Sequence, residues 1–330
     1  MESQKRIQFL TKFFTFSLLS LFMVSCVWAG SSMKLTLDGK VLKNKNGETV
    51  TLRGVAIADP QHLDLKTWDR PGVNSVSRVK EIISLLKVNV IRLPILPESS
   101  EGTGFLNSPK AYFNNHLLPI LEYCLTKKIY VIVDLHYVED FTKVKKKAHK
   151  FWKILAPKLS GFPHIIYQAF NEATTPHNWE QYKDQIARPI IKIIRKSNPE
   201  AIVIVGSPRW NTLSVEVNNS PLDEKGVLYS VHIYPNEWKS ANFNTKYLPL
   251  LKNHPVILSE WGFSQNPKLA KLYGDKDSYA YPLLKVFEEN GGHHVAWVYD
   301  SLWVPSLLEK NHVMSQSFGE FFKNFINSKK

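Results

Sequence analysis

The sequence predicts an α/β fold, a (β/α)8 TIM barrel with an N-terminal β-hairpin, and three observations lead there. Eight short apolar runs recur along the 330 residues, with amphipathic helical patterns between most of them. Their apolar character is nearly unbroken, as expected of parallel strands buried on both faces. Most runs end in a polar or aromatic residue, and a barrel of this type keeps its chemistry at the C-terminal strand ends. A doubly wound open sheet is the rival topology. No glycine-rich phosphate loop follows the first strand, and Gly102-Thr103-Gly104 lacks the spacing for one.

The N-terminus is read first. Lys5, Arg6 and Lys12 precede an apolar run from Phe13 to Val24, and Val27-Trp28-Ala29 places compact residues where a signal peptidase cuts. Residues 1–29 are therefore expected to be a signal peptide and residues 30–330 a single barrel domain. The run is shorter than the ~20 residues of a spanning helix, so a secreted protein is expected. Met23-Val24-Ser25-Cys26 makes a lipoprotein tethered at Cys26 the alternative.

Short β-runs at Leu35–Leu37 and Val50–Leu52, with the turn pairs Asp38-Gly39 and Asn46-Gly47, read as one or two hairpins. Barrel strands follow at Arg53–Ile57, Asn89–Ile95, Tyr130–Tyr137, Ile165–Phe170, Ala201–Gly206, Leu228–Tyr234, Val256–Glu260 and His294–Tyr299. Helical periodicity occupies Val76–Leu86, Asn115–Lys127, Val144–Leu159, Trp179–Lys196, Tyr247–Asn253, Tyr281–Asn290 and Ser317–Asn327. Between Pro208 and Gly226 no helix is predicted. Cys124, in a helical run, reads as a packed small hydrophobe rather than a nucleophile.

Net charge is +13, or +11 once Glu2, Lys5, Arg6 and Lys12 leave with the leader. The lysines are spread over several helices, so no nucleic-acid partner is expected. The densest run, Lys143 to Lys147, opens an amphipathic helix and reads as a solvated face.

Reading the strand ends in order gives Arg92, His136, Asn171 with Glu172, Trp210, His232 with Tyr234, Glu260 with Trp261, and Trp297. Each has a structural explanation alone; their placement on one rim is what points to a site. Two chemistries fit acids and histidines at a barrel mouth. One is metal-assisted hydrolysis with His136, Glu172, His232 and Glu260 as ligands, which predicts activity lost to chelators; no His-x-His or His-Glu-x-x-His supports it. The other is hydrolysis by paired carboxylates, one protonated to assist a leaving oxygen and one ionised to attack. Tryptophans at the mouth suit sugars, whose C–H faces stack on aromatic rings.

Asn171-Glu172 and Ser259-Glu260-Trp261-Gly262 resemble the acid/base and nucleophile motifs of glycoside hydrolase family 5. Asn89 to Pro94, Asp134-Leu135-His136, Val231 to Tyr234, Trp297 and the opening Asp38-Gly39-Lys40 with Leu52 to Val55 resemble the family too. The pattern is similar to bacterial endo-β-1,4-glucanases, partly through Val205 to Trp210. The resemblance implies Glu172 as general acid/base and Glu260 as nucleophile, with retention of configuration. It implies that Asn171 bonds the sugar 2-hydroxyl, that Arg92 and Tyr234 orient Glu260, that His136 and His232 line the subsite, and that Trp297 floors it. Trp210 and Trp303 join the expected substrate-binding residues, Trp303 as a sugar platform or as loop packing. No cofactor or metal is expected, the substrate is expected to be β-glucan or a related polysaccharide, and a monomer is expected.

The chain departs from the family pattern at three places: Ala173 to Thr175 before Pro176, Gln168 where glutamate is frequent, and Leu135 before His136. These touch substrate choice rather than the catalytic pair. A β-mannanase or other β-glycanase on the same scaffold is the alternative within the class, and a non-catalytic carbohydrate-binding barrel the alternative outside it.

Overall fold

The computed structural model describes residues 32–65, 74–99, 102–240 and 242–329; the expected leader and Cys26 lie outside them. A short antiparallel hairpin, β1 (Thr36–Asp38) and β2 (Val41–Lys43), turns through Gly39 at φ +58°. The second expected hairpin is reduced to one antiparallel bridge, Lys43 with Thr49. The strands that follow are β3 (Arg53–Ala56), β4 (Val90–Ile95), β5 (Tyr130–Leu135), β6 (Val138–Glu139), β7 (Ile165–Gln168), β8 (Glu172–Ala173), β9 (Val203–Val205), β10 (Val227–His232), β11 (Val256–Glu260) and β12 (His293–Ala296).

Eight of these close into a parallel barrel in the order β10-β11-β12-β3-β4-β5-β7-β9, so the expected (β/α)8 architecture is the observed one. β6 and β8 form a separate parallel pair just beyond the barrel, joining Val138 to Glu172 and Glu139 to Ala173. The order follows the chain because each strand feeds a helix that packs back on the sheet and returns to the adjacent position.

Alternate side chains of a strand face opposite ways, and this splits the apolar residues into two cores. One lies between barrel and helices. The other fills the barrel interior, where Val90, Tyr130, Ile132, Ile166, Ile204, Leu228, Ile257 and Val295 meet the hairpin's Leu42 and the preceding Leu35 and Met33. Further along five of these strands the inward positions turn polar. Val90 gives way to Arg92, Ile132 to Asp134, Ile166 to Gln168, Leu228 to Ser230 and His232, and Ile257 to Ser259, all buried. The lower barrel is sealed with hydrocarbon, and the upper barrel carries a buried polar network.

The helices form where expected, with local corrections. Phe141–Leu159 starts three residues before the predicted Val144, because Asp140 caps it by accepting from the Thr142 N–H at 2.9 Å. It buries Ala148, Phe151, Trp152, Leu155 and Leu159 and leaves Lys143, Lys146, Lys147, Lys150 and Lys153 exposed. Pro189 has no N–H to offer the Gln185 carbonyl; the helix widens to a π turn at Lys183–Ala187, and His149 Nε2 takes that carbonyl at 2.9 Å. Cys124 is fully buried, and burial pushes its thiol up to about 12. Among the described residues no helix is long and apolar enough to cross a membrane.

The region between Pro208 and Gly226, predicted to lack a helix, contains two short turns. Pro208–Asn211 is not a right-handed helix: Arg209, Trp210 and Asn211 all have φ near +60°. Ser214–Asn219 is a helix of six residues.

Candidate active site

Arg92 is the centre of the upper barrel. It is wholly buried and donates from all three nitrogens: Nε to Gln168 Oε1 at 2.8 Å, Nη1 to Glu260 Oε1 at 2.8 Å, and Nη2 to Asp134 Oδ2 at 3.0 Å and Asn171 Oδ1 at 2.6 Å. Burial alone would favour loss of its proton; the facing Asp134 and Glu260 charges reverse that and hold it charged.

Glu260 reaches this centre through a bulge. The β10–β11 register runs Val231 with Leu258 and then His232 with Glu260, which skips Ser259 and brings Glu260 level with His232. Its second oxygen accepts from the Tyr234 hydroxyl at 2.9 Å. Burial pushes its carboxyl upward, but His232, Arg92 and His136 together with the Tyr234 hydrogen bond outweigh it and bring Glu260 below the usual carboxylate range. Trp261, one residue on, faces the other way. It is fully buried against Phe318, Phe321 and Phe322 and takes no part in the rim where sequence order placed it.

Glu172 sits opposite in β8, lifted from the strand tip by the pairing with β6. Its Oε1 is 2.6 Å from His232 Nδ1, and its side chain stays 14% exposed, against 6% for Glu260. Oxygens of Glu172 and Glu260 and a His232 nitrogen lie within 4.8 Å of one another. That spacing would admit a cation, but the donor chemistry opposes one: both Glu260 oxygens already accept from Arg92 and Tyr234, and the guanidinium adds positive charge. His136 is outside this group; its Nδ1 pairs with Asp134 Oδ2 at 2.7 Å. The four-ligand set considered from sequence is therefore not assembled.

The aromatic wall lies beside Arg92. The Trp297 ring is 5.5 Å from the guanidinium carbon and 5.2 Å from the His136 ring, nearly parallel to it. Trp303 lies parallel to both, 5.8 Å from His136 and 5.5 Å from Trp297. Its backbone N–H is held by Asp300 Oδ2 at 2.8 Å. Trp210 is 45% exposed on the left-handed turn, its ring 6.5 Å from His177.

The structure thus brings Arg92, His136, Asn171, Glu172, His232, Tyr234, Glu260, Trp297 and Trp303 together, and sets Trp210 on the outer rim. Sequence reading assigned no role to Asp134, Gln168, Ser230, Ser259 and Asn211. Asp134, Gln168, Ser230 and Ser259 interrupt apolar strands at inward positions, a signal available in the period-two pattern. Asn211 carries no such signal.

Comparison with known proteins decides the family. The family model for cellulases, glycosyl hydrolase family 5, matches residues 43–302.

The chain belongs to glycoside hydrolase family 5.

This family 5 chain is 28% identical over 293 residues to cellulase CelDZ1 of a Thermoanaerobacterium species, covering 83% of the chain and 71% of the relative. It is 26% identical to endoglucanase A of Butyrivibrio fibrisolvens over 80% of the chain and 59% of the relative. The family 5 chain therefore spans about six-tenths of that second relative's length. In fold it superposes on a β-glucanase from Saccharophagus degradans with a TM-score of 0.79 at 24% identity, covering 91% of this chain and 95% of that one.

Proposed function

We propose that the chain is a retaining, endo-acting glycoside hydrolase that cleaves β-1,4-glucan through a two-glutamate double displacement. The observation that carries this is the unequal setting of two carboxylates whose oxygens lie within 4.8 Å. Retaining enzymes hold the pair about 5–5.5 Å apart, whereas inverting enzymes leave about 6.5–9.5 Å for a water. The shorter spacing supports direct attack.

Glu260 is the nucleophile in this reading: buried, ionised, and aimed by two donors. Glu172, at the wetter edge, gives its proton to the leaving oxygen and later takes one from the attacking water. Asn171 has its Oδ1 engaged by Arg92 and offers its amide N–H to the 2-hydroxyl. His136, Trp297 and Trp303 supply parallel faces for sugar rings, and Trp210 extends the surface outward.

The names of the relatives favour glucan over mannan, since they are cellulases and endoglucanases. A complete donor network around Glu260 argues against a non-catalytic barrel. Secretion through the leader at residues 1–29 and action as a monomer belong to the same proposal. Proton NMR of an early digest of a cello-oligosaccharide tests it: the new reducing end is expected first as the β-anomer. An α-anomer appearing first would overturn the retaining assignment.

A further inference from the structure

We propose that Asn211 and Ser230 are positioning residues that choose which nitrogen of His232 carries the proton; the consequence for catalysis rests on the reading of Glu172 as acid/base. A chain of buried groups runs from the left-handed turn to the acid. Asn211 Nδ2 reaches Ser230 Oγ at 3.3 Å, Ser230 Oγ reaches Ser259 Oγ at 2.5 Å, and Ser259 Oγ reaches His232 Nε2 at 2.9 Å. His232 Nδ1 then meets Glu172 Oε1 at 2.6 Å.

The direction of this chain is decided at its far end. Asn211 Oδ1 accepts the Ser207 backbone N–H at 2.9 Å, and Nδ2 donates to the Asn171 carbonyl at 2.8 Å. A backbone donor on one side and a backbone acceptor on the other fix which amide atom is nitrogen. The group facing Ser230 can therefore only donate. Ser230 accepts there and gives its own hydrogen to Ser259, which gives its hydrogen to His232 Nε2. A neutral His232 is left with its proton on Nδ1, directed at Glu172 Oε1, with Glu260 Oε2 further off at 3.5 Å. Running the chain the other way points the Ser230 hydrogen at an amide nitrogen that has no lone pair to accept it, inside a site where Ser230 is 3% exposed.

The positive-φ turn is what makes Asn211 available. It folds the side chain back over β9 so closely that a Cβ at Gly206 would lie 2.0 Å from Asn211 Oδ1. A donor held against Glu172 Oε1 faces the negative charge that oxygen carries when the second step draws a proton from water. Glu260 and Tyr234 also face this pair, and Arg92 and His136 act on Glu260 behind it.

Long-range proton–nitrogen NMR of enzyme labelled with 15N-histidine reads the tautomer directly, with His232 identified by the signals lost in His232→Gln. The wild-type protein with a neutral His232 is expected to show a protonated Nδ1 and a bare Nε2. Ser230→Ala frees the Ser259 hydroxyl to turn. It is expected to populate the opposite tautomer and to move the alkaline limb of the kcat/KM profile upward; Ser230→Thr restores both. A wild-type His232 protonated on Nε2, or a Ser230→Ala enzyme with unchanged tautomer and profile, overturns the proposal. The tautomer is read without turnover, so a protein that cleaves no β-glucan would sink the functional reading and leave this one standing on its own spectrum.

Discussion

Arg92 Nη1 lies 2.8 Å from Glu260 Oε1 with its own side chain at 0% exposure. The same guanidinium also neutralises Asp134, whose side chain is equally buried. Three buried charges thus share one site, and removing the cation leaves two carboxylates facing each other in a low-dielectric interior. Breaking a buried pair by deleting one partner costs about 3–5 kcal/mol. Arg92→Ala should lose stability of that order along with all turnover. Arg92→Lys keeps the charge but not the fork and should recover only part of either. Denaturant midpoints and kcat/KM on the same preparations check both.

The two glutamates should fail differently. Glu260→Gln removes the attacking oxygen and should abolish turnover on every substrate. Glu172→Ala should lose about 10²–10⁴-fold on natural glycosides, with a much smaller loss on aryl glycosides whose leaving group needs no proton. Initial rates on both substrate types decide it; equal losses would count against the acid role of Glu172.

Much of this arrangement was legible in the sequence. Glu260 and Glu172 are acids at the ends of apolar runs, and a buried carboxylate without a task is costly. The eight strands were found within a few residues because continuous apolar runs survive any uncertainty about which face is inward. That same continuity hid the inner network. Asp134 and Gln168 look like interruptions until the closed barrel shows that they face Arg92. Trp261 was misplaced for the complementary reason: one residue past Glu260 is the opposite face of the strand. The Arg209–Asn211 turn was invisible because Arg and Trp at positive φ are uncommon, and one Asn is too weak a mark to announce such a turn.

Acid should destabilise the fold through histidines far from the catalytic pair. Burial holds His164 at about 4; burial, with the His294 and Arg53 charges, holds His293 at about 3, both below the ordinary 6.5. The folded state therefore keeps them neutral while the unfolded chain takes protons near pH 6.5. Their contribution is fully present above that pH and is lost as pH falls toward 4 and 3. For His164 the span corresponds to roughly 3 kcal/mol. Unfolding free energies at pH 7 and pH 4.5 should differ by an amount of that order, and His164→Leu should flatten the slope.

Positions 206 and 210 separate stability from recognition. Gly206→Ala forces a methyl group into Asn211 Oδ1 and should destabilise the protein by about 1–3 kcal/mol. Trp210→Ala removes a half-exposed ring and should change stability by only about 0.5 kcal/mol, while raising KM for long oligosaccharides more than for short ones. Melting curves and chain-length-dependent KM values test the pair; an equal effect on all substrate lengths would remove Trp210 from the binding surface.

In the proposed function, Glu172 and Glu260 act as a pair on a β-1,4-glucan. Reducing-end release from carboxymethylcellulose, mixed-linkage β-glucan, mannan and xylan, with Glu260→Gln as the blank, tests it most directly. Strong release from the two glucans, little from mannan or xylan, and none in the blank is expected. Release that persists in the Glu260→Gln enzyme, or no release from any of the four by the wild type, would contradict it.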